Sequence, residues 1–109
     1  MAKPVYLVVL ITASSYEEAR KIAAALVSQR TAACVNIVPK VNSLFRWKGK
    51  IEDAEESLLV VKTRAKLFLE VVTAVKAIHS YKVPEIIALP IVEGNPDYLK
   101  WIEEETAEL

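Results

Sequence analysis

The stretch AIHSYKVPEIIALP, residues 77–90, holds the one histidine of this 109-residue chain. Near neutral pH, most proton-transfer and metal chemistry leans on histidine, so His79 is the first candidate. Two readings fit it. A lone imidazole makes no stable zinc-type centre, because such sites take three or four protein ligands. As a ligand, His79 therefore needs a neighbouring Glu or Cys, or other copies of the chain, to complete a set. As a helix-end residue it does nothing chemical, and the dipole favours its charged form by about 0.3–1 kcal/mol when exposed. Cys34 is the one thiol, and it lies in an apolar run with no second Cys or His at ligand spacing. It reads as a small buried hydrophobe. Glu52–Glu56, EDAEE, offers oxygens that would hold a hard cation weakly. The same run equally suits a solvated stretch that protects a strand edge. Catalysis is short of parts: there is no Ser-His-Asp order, no G-x-S-x-G elbow and no H-E-x-x-H. The expectation is a binding protein and not an enzyme.

Such residues need a scaffold, and the composition supplies one. Apolar residues make up 53% of the chain, which is enough for a core and too much for a disordered segment. The length suits one domain spanning residues 1–109. Fourteen basic and fourteen acidic residues cancel, without the basic surplus or stripe of a nucleic-acid binder. No run reaches the roughly 18 apolar residues of a membrane span. One cysteine excludes an internal disulfide. A cytoplasmic protein with no nucleic-acid and no membrane partner is the expectation.

Val5–Ile11 is a continuous apolar run rich in β-branched residues, which suits a central strand buried on both faces. Ser15 and Glu18 have capping-box spacing, so a helix starts there. Ala19, Ile22, Ala23 and Leu26 give that helix one apolar face. AACVNIV (32–38) opens a second strand, and Pro39, lacking the N–H a ladder uses, predicts a bulge. The strand resumes as VNSLFRWK (41–48), turns at Gly49 and returns as KIEDAEESLLVVKT (50–63). A second helix starts at Thr63 or Arg64, with Phe68, Val71, Val72, Val75 and Ile78 on one stripe, and ends near His79. EIIALPIV (85–92) reads as the fourth strand. Asn95, Pro96 and Asp97 have N-cap, N1 and first-turn character. Tyr98, Trp101 and Ile102 then make the inner face of a third helix.

This order is the split βαβ pattern: an α+β, ferredoxin-like βαββαβ sandwich with a long central β-hairpin and a C-terminal helix. Each hairpin arm could reach about 40–50 Å at roughly 3.3 Å per residue. Two helices cannot cover that length, and an isolated ribbon is marginal in water. A neighbouring subunit is therefore expected over Phe45 and Trp47.

Six pieces then occur in one order: ACVNIVP (33–39), W-x-G-K-I (47–51), E-x-x-x-x-x-K-T (56–63), H-x-Y-x-V-P-E-I (79–86), ALP (88–90) and G-x-x-x-Y-L-x-W (94–101). Together they resemble the CutA family, named for divalent-cation tolerance, over nearly the whole chain. The resemblance implies a fold like that of the PII signalling proteins and a tight homotrimer. It implies a response to divalent metal ions, and weak binding of copper or another such ion as cofactor. The family's metal site, a first-strand cysteine and a His-His pair after the second helix, falls on Ile11, Ile78 and His79, so His79 alone keeps a ligand side chain. The usual H-P-Y-E/D run reads His79, Ser80, Tyr81, Lys82. Trp47, Lys50, Glu56, Lys62, Tyr81 and Glu85 fall in the family motifs. In a PII-like trimer they would gather at clefts between subunits. There they would form either a pocket for an anion or small ligand, or an ion-pair network fixing the trimer's register. The alternative function is thus a PII-like signalling or scaffold trimer that binds an anion or protein partner at those clefts.

Overall fold

Ser15 stops the first apolar run and caps a helix, which sets the first strand–helix unit of the computed structural model; residues 4–107 are described. The Ser15 side chain accepts the Glu18 N–H at 3.1 Å. The Glu18 carboxylate reaches back one residue further than a capping box requires, accepting the Ser14 N–H at 3.1 Å. The elements run β1 (Tyr6–Ala13), α1 (Tyr16–Ser28), β2 (Cys34–Trp47), β3 (Lys50–Arg64), a 3-10 turn (Ala65–Leu67), α2 (Phe68–Ile78), β4 (Ile86–Pro90) and α3 (Pro96–Glu105). The strands form one sheet in the order β2-β3-β1-β4, and each neighbouring pair is antiparallel. The split βαβ arrangement is present, with α3 added.

One face of the sheet carries α1 and α2. Val9 and Ile11 of β1, Leu59 and Val61 of β3, Ile22 and Leu26 of α1, and Val71 and Val75 of α2 meet there, fully buried. Each such side chain contributes about 1.5–3 kcal/mol by leaving water. The other face is different. It presents Val8 and Leu10 of β1 beside Leu58 and Val60 of β3, with Ile87 and Leu89 of β4 at 51% and 52% exposed. So β1 is not buried on both faces within one chain, as its unbroken apolar run suggested. Its residues alternate between buried and half-buried.

α3 lies over one end of that second face. Tyr6 donates its hydroxyl hydrogen to Glu103, and the buried Arg64 donates to the Thr106 side chain and carbonyl at 2.8 Å each. Arg30 donates to the carbonyls of Glu104 and Ala107. Two guanidinium groups thus satisfy the open carbonyls at this helix's C-terminus. Ile102 alone of the expected inner face is fully buried. Tyr98 and Trp101 stay exposed, with ring centroids 5.5 Å apart.

α2 starts later than the sequence suggests. Pairing with β1 carries β3 through to Arg64, opposite Tyr6, and the Ala65 N–H extends the ladder to the Val5 carbonyl. Pro39 does mark a bulge: Val38 faces Leu58 and Val41 faces Glu56, so β2 has one residue more than β3 between them. Ser57 donates its hydroxyl hydrogen to the Pro39 carbonyl at 2.7 Å, satisfying a group the bulge displaces.

Candidate functional site

α2 ends because His79 adopts extended backbone geometry, although its N–H still donates to the Val75 carbonyl. The chain then crosses to β4 through residues 79–85, and three residues tie the crossing down. His79 Nε2 lies 2.7 Å from the Thr12 carbonyl oxygen. The Tyr81 N–H donates to His79 Nδ1 at 3.0 Å. A carbonyl only accepts, so these partners assign the proton to Nε2 and the lone pair to Nδ1. The imidazole is fully buried, and both its nitrogens are in use. Glu18 supplies the third tie, accepting the Ser80 N–H at 3.0 Å while standing 3.5 Å from His79 Nδ1. Burial alone would raise the Glu18 carboxyl. Hydrogen bonds from Ser14 and Ser80 outweigh it and hold the group below its usual range.

Tyr81 stacks beside His79, with centroids 4.8 Å apart, and donates its hydroxyl hydrogen to Glu56 Oε2 at 3.0 Å. Burial first, then the bond to Glu56 and its charge, push the Tyr81 phenol up to about 12. It is a neutral donor at any physiological pH. Glu56 itself is only 7% exposed, at the point where the bulge lets the ribbon leave the sheet.

Between the ribbon and the crossing lies a groove of about 890 Å³. Phe45 and Trp47 line it from β2, Glu52, Asp53 and Glu56 from β3, and Tyr81, Lys82 and Glu85 from the crossing. Of the residues singled out in the sequence, Trp47, Glu56, Tyr81 and Glu85 therefore come together. His79 joins them through Tyr81 and through Thr12, which also lines the groove. Lys50 pairs with Trp47 at the hairpin end and is outside the lining. Lys62 is outside it too, donating to the Asn36 side chain 4.0 Å from the Cys34 sulfur. With four carboxylates against one ammonium, the lining is acidic. Cys34 is half-buried at the start of an edge strand and not sealed in the core. Burial, then the nearby Cys34, raises the Tyr98 phenol.

Sequence reasoning overlooked Glu18 and Thr12 as parts of the site. Capping-box spacing found Glu18 as a helix residue, but no local signal reports a bond to a serine 62 positions away. Among the described residues, no group of three or more His, Cys, Asp or Glu side chains is placed to hold a metal ion. Ile11 and Ile78, at the positions where the resemblance places two ligands, pack in or against the core. The residues thus offer no ready-made metal centre.

Fold and groove define an α+β protein of the ferredoxin-like type, whose central hairpin outruns its helix layer. A family model described as "CutA1 divalent ion tolerance protein" matches residues 7–105. The "Divalent-cation tolerance protein CutA" of Thermus thermophilus is 56% identical over 99 residues, which is 91% of this chain and 96% of that protein. "Protein CutA" of Mus musculus is 43% identical over 88% of this chain, which spans only 54% of the mouse protein's length. The crystal structure of CutA1 from Oryza sativa superimposes with a TM-score of 0.93 at 42% identity, covering 97% of each chain. The chain belongs to the CutA divalent-cation-tolerance family. No helix among the described residues is long and apolar enough to cross a membrane.

Proposed function

We propose that this chain acts in divalent-cation tolerance as a cytoplasmic homotrimer that binds ions such as copper weakly and catalyses no reaction. The bare apolar face of the sheet carries the assembly part of this reading. The half-buried Val8, Leu10, Leu58 and Val60 and the exposed Ile87 and Leu89 lie side by side on it. Two more copies would bury it, together with the ribbon. A single cysteine, with no disulfide to maintain, supports the cytoplasm. The non-catalytic part of the reading is supported by a histidine whose two nitrogens are both engaged.

Metal binding at His79 is weak in this reading because an ion must first displace a hydrogen bond. At Nδ1 the Tyr81 N–H stands in the way, and losing such a bond costs about 1 kcal/mol or more. Glu18, 3.5 Å away, is the nearest carboxylate to serve as a second ligand. Isothermal titration with copper(II) tests the point. Wild type is expected to give weak, saturable heats that His79→Ala reduces. Equal heats from a folded His79→Ala protein would remove His79 from the function.

A further inference from the structure

In the sheet order β2-β3-β1-β4, β2 is an edge, and its outer side has no neighbouring strand among the described residues. Edges of this kind are usually blunted by charge, proline or a bulge. In β2 the blunting begins only at Pro39 and Lys40, where the register shifts. Residues 34–38, CVNIV, carry no charged side chain and no proline. Their outward backbone groups form a short, unprotected stretch of ladder. Beside it lies a groove. Val35 and Ile37 pair with Val61 and Leu59 of the core, so their side chains are on the side of α1 and α2. With Arg20, Ala23, Ala24 and Val27 of α1 they line a volume of about 210 Å³. This side is opposite the face of Val8, Leu10, Leu58 and Val60, and it lies before the ribbon, so the assembly proposed above covers neither groove nor edge.

Each feature specifies part of one occupant. An open ladder takes the N–H and C=O groups of another extended backbone. An apolar groove alongside takes every second side chain of that strand. The volume is below the roughly 300–1,000 Å³ of a small-molecule site, so it holds side chains and not a whole ligand. The exposed Arg20 is the one charged residue of the lining, and it forms no ion pair among the described residues. A free guanidinium suits a carboxylate. Its place along the groove follows from the chain. The Thr31 and Ala32 N–H groups both donate to the Leu26 carbonyl, which holds the end of α1 at the start of β2. Arg20 lies about two turns, roughly 10 Å, back from Val27, and therefore towards the Ile37 end. An edge strand beside a helix is a setting in which peptides add as a further strand.

We propose that residues 34–38 of β2 bind an extended peptide segment of a partner protein, added as an antiparallel strand. Its apolar side chains would rest against Ala23, Ala24 and Val27, and an acidic side chain at its N-terminal end would meet Arg20. Antiparallel pairing is the more stable per residue, and it sets that order because β2 runs towards Arg20. This goes beyond the tolerance reading and does not depend on it. A suitable probe is an acetylated, amidated pentapeptide with glutamate first, valine third and fifth, and threonine between. Titrated into the assembled full chain and followed by amide NMR, it is expected to give saturable shifts confined to residues 34–38 and α1. The same peptide N-methylated at the amides that face β2 is expected to give none. Lysine in place of its glutamate should weaken binding about two- to fivefold, and Arg20→Glu should reverse that preference. Arg20 is exposed, and a thermal melt establishes that the variant is folded. No saturation, shifts centred elsewhere, equal binding of the methylated peptide, or an unchanged preference in Arg20→Glu would overturn the proposal. So would slow amide exchange without peptide at the N–H groups of residues 34–38 that face away from β3, because a second copy's strand would then already hold the edge.

Discussion

Tyr81 joins the two halves of the site: its amide fixes His79 Nδ1, and its hydroxyl fixes Glu56 Oε2. Its phenol is raised from an unfolded value near 10 to about 12, so folding favours the neutral form. The stability this contributes is fully present below about pH 10 and is lost as pH rises through about 12. Melting temperatures between those limits should therefore fall more steeply for wild type than for Tyr81→Phe; superimposed alkaline limbs would contradict the raised phenol. His79→Ala should destabilise the fold by about 2–4 kcal/mol, measured by denaturant titration, because it empties a buried space and strands two polar partners. That His79 ends a helix was legible from the apolar stripe before it and Pro84 after it. Its partners were not, because the Thr12 carbonyl lies 67 positions away and the backbone there carries no residue-specific signal. The expected pocket lysines diverged for a related reason. The register places Lys62 beside Cys34 and Asn36 on the face away from α1 and α2, and turn geometry places Lys50 at the hairpin tip.

Among the elements, the hairpin was the most legible. Lys48 and Gly49 both have positive φ, at 49° and 80°, as a two-residue type I′ turn requires. No atom lies within 4 Å of a Cβ added at Gly49, so the cost of Gly49→Ala is the backbone's alone. A loss of about 1 kcal/mol is expected from the denaturation midpoint, and unchanged stability would contradict the left-handed turn. Pro39 announced its bulge because a missing N–H is a property of the residue itself. The start of α2 was hidden because ladder pairing with β1 overrides the local helical pattern through Arg64. For α3 the cap at Asn95 was legible, and its side chain does accept the Asp97 N–H. Its anchoring was not: arginines from β3 and from beyond α1 hold its C-terminus. Arg64→Ala should cost about 2–3 kcal/mol and loosen this helix, seen as faster amide exchange in residues 96–105.

At the scale of the whole molecule, the open sheet face is what the proposed trimer would cover. The unbroken apolar run of β1 pointed to a strand covered on both sides. One chain supplies α1 and α2 for one side and α3 for one end of the other. In the proposed trimer a second copy would cover the half-buried residues of β1 and the half-exposed Ile87 and Leu89. A 14-residue edge strand, longer than the helix layer needs, adds a ribbon that has no cover within its own chain. Val60→Lys, placing a charge in the middle of the open patch, should dissociate the assembly while leaving the helix-side core intact. The molar mass in solution, measured by light scattering after size exclusion at micromolar concentration, tests the assembly most directly. Three times the chain mass of 12.1 kDa is expected, and a single 12.1 kDa species would contradict it.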